Sequence, residues 1–275
     1  MTLSGQTLAR KYQVSQIENG ALAAALVMEV CNQYRAGRLS EEDFVGTLIA
    51  QSKLSHDKAT SIATDFLAAY RLIEAPDENH ADPLLADWDG GAAFGRAYGV
   101  AQDLAAIDVE PLYYEREFQK IAQNFAVRSH RYALDAGRRT VEFSAAANGK
   151  RWRRITDGNP CAFCAMLSTR SDYRTKKSAL AVVGRAHGYG TAGYRLTGDV
   201  SHPGDRMRGS RGLGERYHNF CGCTVVEVLS EWVFTPVEQA QHELYNRAAK
   251  QCDRDGVPRT AKNVLQRMRQ SGEGI

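Results

Sequence analysis

Two short cysteine motifs, Cys161-Ala162-Phe163-Cys164 and His218-Asn219-Phe220-Cys221-Gly222-Cys223, stand 56 residues apart, counted between Cys164 and Cys221, in a chain of 275. Two thiols spaced around a tight turn can both reach one ion at about 2.3 Å, the zinc–sulfur distance. Asn159 and Pro160, just before the first motif, favour that turn. The halves of a compact zinc ribbon or finger lie closer in sequence, so here the fold must bring them together, by pairing the strands beside them. Five side chains, Cys161, Cys164, His218, Cys221 and Cys223, compete for four tetrahedral positions. The expected ligands of a structural Zn2+ are the four thiols, with His218 replacing one of them or orienting them from behind. Gly222 is expected to relieve crowding between the last two thiols. Disulfides, or thiols that are merely buried, form one competing reading. A cysteine nucleophile with His218 as base is another, and it would leave three thiols unemployed.

The choice of metal over disulfide rests on the compartment. No run approaches the about 18 to 20 consecutive apolar residues of a membrane span, and Met1 to Lys11 lacks the order of a secretory signal. The chain is therefore expected to be soluble, to make no membrane contact and to keep its thiols reduced. A hydrophobic fraction of 43% is enough for a core that needs no cross-links.

Periodicity outside the cysteines is mostly helical. Leu22, Leu26, Val30 and Tyr34 recur at every fourth position and predict a helix of about four turns that Gly37 ends. Ser40, with Asp43 three residues on, caps a second helix that turns Phe44 and Leu48 inward. Ser55 is expected to cap a third, with Ala59, Ile62, Phe66, Tyr70 and Ile73 on its face. The acidic stretch Ala75 to Asp89, with Pro76 and Pro83, reads as a linker. Gly91, Gly95 and Gly99 then predict a groove for close helix packing, and a long helix follows from Glu115 to about Ala147, stopped by Asn148 and Gly149. Strand-like runs at 151–156 and 223–229 flank a Gly- and Arg-rich stretch at 184–214 that reads as a long loop. Thr235, Pro236 and Glu238 form a capping box for a helix with Leu244 and Ala248 inward, and Thr260 caps a last one containing Val264 and Met268. The fold expected is α+β: mostly helical, with a helical N-terminal region at 1–88, and a second region at 89–275 holding a small β-sheet beside the zinc site and the closing helices.

Charge is unevenly distributed. Residues 1–110 carry 8 Lys and Arg against 16 Asp and Glu, whereas residues 151–216 carry 13 against 5. The acidic part suits a protein partner. The basic part, with Arg206, Arg208 and Arg211 among glycines, suits sequence-independent contact with DNA phosphates or a solvated loop over the metal site.

The run Arg154-Ile155-Thr156-Asp157-Gly158-Asn159-Pro160-Cys161-Ala162-Phe163-Cys164-Ala165-Met166-Leu167 is followed by Arg208-Gly209 and by Gly214-Glu215-Arg216-Tyr217-His218, leading to Cys221-Gly222-Cys223-Thr224. Together these resemble the phage Mu F-like minor head proteins, particularly those of phages of actinobacteria. The likeness covers roughly residues 115 to 270 and leaves the acidic first third unmatched. It implies a minor capsid protein, made in the host cytoplasm and carried inside the virion head. Its partners would be portal and capsid proteins, with packaged DNA as a further one, and its role head assembly or DNA delivery. Proteins of this kind are also described as capsid maturation proteases, which is the alternative reading. The sequence offers no clear Ser-His or Asp pair, no Walker loop, no G-x-S-x-G elbow and no H-E-x-x-H, so no catalytic residue is expected.

Overall fold

The computed structural model describes residues 2–157, 160, 162–169 and 221–271. Three long helices dominate it: α1 (Leu3–Arg35), α2 (Glu41–Glu74) and α4 (Pro111–Ala147), with the shorter α3 (Gly90–Ala105) between the last two. Thr2, Ser40 and Asp89 cap α1, α2 and α3 by accepting from backbone N–H groups three residues on, and Pro111 opens α4. Strand β1 (Arg151–Ile155) pairs antiparallel with β2 (Thr224–Val228), in a register running from Arg151 opposite Val228 to Ile155 opposite Thr224. Helix α5 (Ala162–Ser168) follows β1, and α6 (Pro236–Arg254) and α7 (Ala261–Gln270) follow β2. The described residues are thus mostly helical, with one small antiparallel sheet.

α1, α2 and α4 pack on one another, and the seam between them is partly polar. Gln13, Gln16 and Asn19 are at most 2% exposed. Gln16 Nε2 donates to Ala59 O at 2.8 Å and Asn19 Nδ2 to Ser55 O at 2.9 Å, so α1 is bonded to backbone carbonyls of α2 that retain a second lone pair. α1 approaches α4 closely at two glycines. A Cβ on Gly20 would lie 2.2 Å from Leu134, and one on Gly137 would lie 2.3 Å from Gln16.

This packing corrects several expectations. Ser55 caps nothing: it lies inside α2, buried, because its carbonyl serves Asn19, and the two expected helices are one of 34 residues. α1 begins 19 residues before the apolar stripe that predicted it. Leu22 is exposed, and the buried face runs instead through Ala23, Val27, Val30 and Cys31. Among the described residues nothing packs over the glycines of α3, since none comes within 4 Å of a Cβ built on Gly95 or Gly99, and the helix buries Ala93, Ala97, Ala101 and Leu104 instead. The stretch 184–214 lies outside the described residues.

The segment 75–89 joins α2 to α3 without helix or strand, yet it is tied down. The backbone N–H groups of Ala81, Leu84 and Ala86 donate to Asn148 Oδ1, Ser144 Oγ and Thr140 Oγ1 at 2.8, 2.9 and 3.1 Å. These acceptors stand one helical turn apart on α4, so the segment runs antiparallel along that helix. Across the sequence boundary at 88/89, α1 and α2 therefore lie directly against α4.

Three clusters of buried side chains hold the molecule. One joins α1, α2, α3 and α4 around Val30, Phe44, Leu104 and Phe118. A second joins α5, α6 and α7 around Met166, Leu244 and Met268. The third joins Tyr12 of α1, Phe66 and Tyr70 of α2 and Val141 of α4 to Trp152, Val225 and the cysteines Cys164, Cys221 and Cys223. Arg71 of α2 braces the same junction with a buried two-point ion pair to Glu227 of β2, at 2.7 and 3.2 Å.

Candidate metal centre

The sheet closes the long gap between the cysteine motifs. Because Ile155 pairs with Thr224, the residue before β2, Cys223, arrives where the chain leaves β1 for α5. Cys164 sits in the first turn of α5, whose position is fixed from both sides. Gln241 of α6 donates to Thr156 Oγ1 at 3.0 Å, and Ser168 of α5 donates to Gln241 Oε1 at 2.7 Å. The Sγ atoms of Cys164, Cys221 and Cys223 all lie within 4.8 Å of one another, with Cys164 and Cys221 at 3.3 Å. All three cysteines are buried. Sulfurs at about 2.3 Å from one tetrahedral ion stand roughly 3.8 Å apart, so three vertices of such a site are in place and a soft divalent cation fits them. Among the described residues no disulfide joins the cysteines. Cys161 and His218, the other two expected ligands, lie outside the described residues, as do Arg206, Arg208 and Arg211.

The turn that carries Cys221 and Cys223 is held by side chains from three directions. Arg138, inside α4 and 1% exposed, donates from Nη2 to Cys221 O at 2.6 Å and from Nε to Cys223 O at 2.9 Å. Its remaining nitrogen reaches Asp135 Oδ1 at 2.7 Å. Gln13 of α1 donates to Gly222 O at 2.9 Å and accepts from Arg10. Asp157, just past β1, accepts from Gly222 N at 3.0 Å. Gly222 is needed for this clasp rather than for room between thiols: a Cβ there would stand 2.7 Å from Asp157 Oδ2 and 2.8 Å from Ile17 Cδ1.

Electrostatics favour a bound cation over bare thiolates. The contact from Cys164 favours the Cys223 thiolate and Arg154 adds to that, but Cys221 and burial outweigh them and hold the thiol protonated. A cation would displace those protons, and Arg138 and Arg154 would offset the excess negative charge of a thiolate cage.

Cysteines and tryptophans outside the cluster of thiols have structural places. Cys31 is buried among the bundle helices, where burial pushes its thiol up to about 12. Cys252, in α6, is buried in the cluster that α6 forms with α5 and α7. Trp152 is core, and the Trp232 ring lies 4.0 Å from the Arg153 guanidinium. His187 and His202 are outside the described residues. Arg138, Gln13 and Asp157 were not among the expected site residues. They lie far from the cysteines in sequence or belong to types common on helix surfaces, and only a buried charge inside α4 marks Arg138.

No curated protein and no solved structure matches the chain. A family model does, over residues 57–252, from the second half of α2 to the end of α6, and so takes in every cysteine of the site and the clasping Arg138. That span is most of the chain, and its family is one of viral, phage-type gene products: the chain belongs to the VG15 protein family.

Proposed function

We propose that the protein is a structural component of a phage particle, a minor capsid protein of the Mu F-like type that acts in head assembly near the portal. Its fold would be stapled by one zinc ion. The observation that carries this reading is the buried group of three thiols at the junction of the helices and the sheet, with its turn clasped by α1, α4 and the β1 exit. Cys164, Cys221 and Cys223 would hold the metal with Cys161 as fourth ligand, or with His218 in place of one thiol. Four protein ligands make a closed site that supports folding and leaves no position for an activated water, which favours a structural part over a maturation protease. In a DNA-filled head the basic stretch with Arg206, Arg208 and Arg211 would meet packaged DNA without reading its sequence, and the acidic N-terminal part would face portal or capsid protein.

Two measurements test this. Elemental analysis of the purified protein should give about one zinc per chain, and Cys223→Ser should lose most of it. Mass spectrometry of purified particles should find the intact protein in few copies per head. Metal-free protein with an unchanged melting temperature would remove the zinc staple. Absence from particles, together with cleavage of the major capsid protein on coexpression, would replace the structural role with the protease.

A further inference from the structure

Far from the cysteines, a cavity of about 550 Å³ opens between α1, α2, α3, α4 and the segment just before α3. It exists because Ala23, Ala93, Ala97 and Ala136 face inward where bundle helices ordinarily interlock larger side chains. What remains at its walls is charged: Arg96, Arg128, Arg131 and Arg139 stand with the carboxylates of Asp87, Asp89 and Asp135. Arg131, 7% exposed, donates no hydrogen bond among the described residues, and its one ionic contact is Nε to Asp135 Oδ2 at 3.4 Å. That carboxylate group is shared with Arg138. Arg96 and Arg128 have no acidic partner among the described residues, and Trp88 Nε1 is buried with no acceptor. The guanidinium carbons of Arg96 and Arg131 lie 4.2 and 5.2 Å from the centre of one ring, Tyr132.

Buried donors without acceptors are costly, and Arg131 Nε and Trp88 Nε1 at one cavity, beside the more exposed guanidinium groups of Arg96 and Arg128, point to a ligand made of acceptors. Guanidinium forks match the oxygens of phosphate and carboxylate groups in pairs, and the volume is that of an ordinary small-molecule site. We infer that this cavity binds a small oxyanion ligand of about mononucleotide size, a phosphorylated or polycarboxylate compound, through Arg96, Arg128 and Arg131 with the Trp88 N–H as a further donor. The site is independent of the metal and of the particle role.

Thermal unfolding of the full chain with inorganic phosphate, dAMP and citrate, each against sodium chloride of matched ionic strength, tests it. At least one ligand should raise Tm saturably beyond the salt control. The identity of that ligand separates a phosphate source from a carboxylate one. Arg96→Gln with Arg128→Gln should move the half-saturating concentration at least tenfold upward. Arg131 is buried and its replacement is avoided. Should the double variant fail to fold, Arg128→Gln alone, at an exposed position, is read the same way. No rise above the salt control with any of the three ligands, or an unchanged midpoint in the folded variant, overturns the proposal.

Discussion

Arg138 does at one position what a metal-site turn usually needs several residues to do. Its guanidinium takes the carbonyls of Cys221 and Cys223 together, which fixes the backbone of the turn that carries both thiols, and Asp135 pairs with its remaining nitrogen. Arg138→Met keeps the stem and removes the donors, leaving two buried carbonyls without their donor and Asp135 with Arg131 as its remaining ionic partner. A loss of about 3 kcal/mol or more is expected in urea unfolding, along with weaker zinc retention. A loss under about 1 kcal/mol would mean that water replaces the guanidinium without cost. His130, about two helical turns before Arg138 on the same helix, gives a pH test. Desolvation holds its imidazole pKa below the ordinary value, Arg138 adds to this, and Cys221 and Asp135 oppose it. Folded His130 is therefore neutral where the unfolded chain already binds a proton, so stability should fall as pH drops below about 6.5 and be fully present above it. His130→Gln should flatten that slope between about pH 5.5 and 7; an unaltered slope would assign it to other groups.

At the scale of elements, what sequence made legible depended on where each signal lay. The capping box at α6 is present in full, with Thr235 and Glu238 each accepting from the other's backbone N–H, because a cap is a local arrangement that three residues specify. Thr235→Ala should cost about 1 kcal/mol in unfolding free energy, and a change within error would show that tertiary packing alone sets the helix start. The two strands and the Asn148–Gly149 stop were equally readable. α1 was not, because its buried face includes Gln13, Gln16 and Asn19, which periodicity counts as surface. Their burial depends on carbonyls of α2 and of the cysteine turn, contacts that no window along the chain contains. The ladder of Thr140, Ser144 and Asn148 hid in the same way: its spacing is regular, but its partner is a backbone 54 or more residues earlier. The grouping of Cys164 with Cys221 and Cys223 could be read as a candidate site because thiol spacing is itself chemical. The clasp around them could not, since an arginine in an amphipathic helix looks like any other until its depth is known.

Among the described residues the cysteine cluster and the helices share a core. Tyr12, Phe66, Tyr70 and Val141 from the three long helices belong to the same buried cluster as Trp152, Val225 and the three cysteines, and the Arg71–Glu227 pair ties α2 to the sheet beside it. A metal module attached to an independent bundle would melt by itself. Here the loss of the ion would leave three thiols in a core built around them, loosen the turn held by Arg138 and Gln13, and expose the bundle face that packs on the sheet. Chelation of the purified protein should therefore lower Tm by about 10 °C or more, and the far-UV helix signal and tryptophan fluorescence should fall in one coincident transition. The bundle's other cluster, around Phe44 and Phe118, contains no cysteine of the site and should keep the metal-free chain from unfolding outright. A fluorescence change at low temperature with the helix transition left in place would show instead that the metal staples only the sheet and α5, and that the shared core does not couple them.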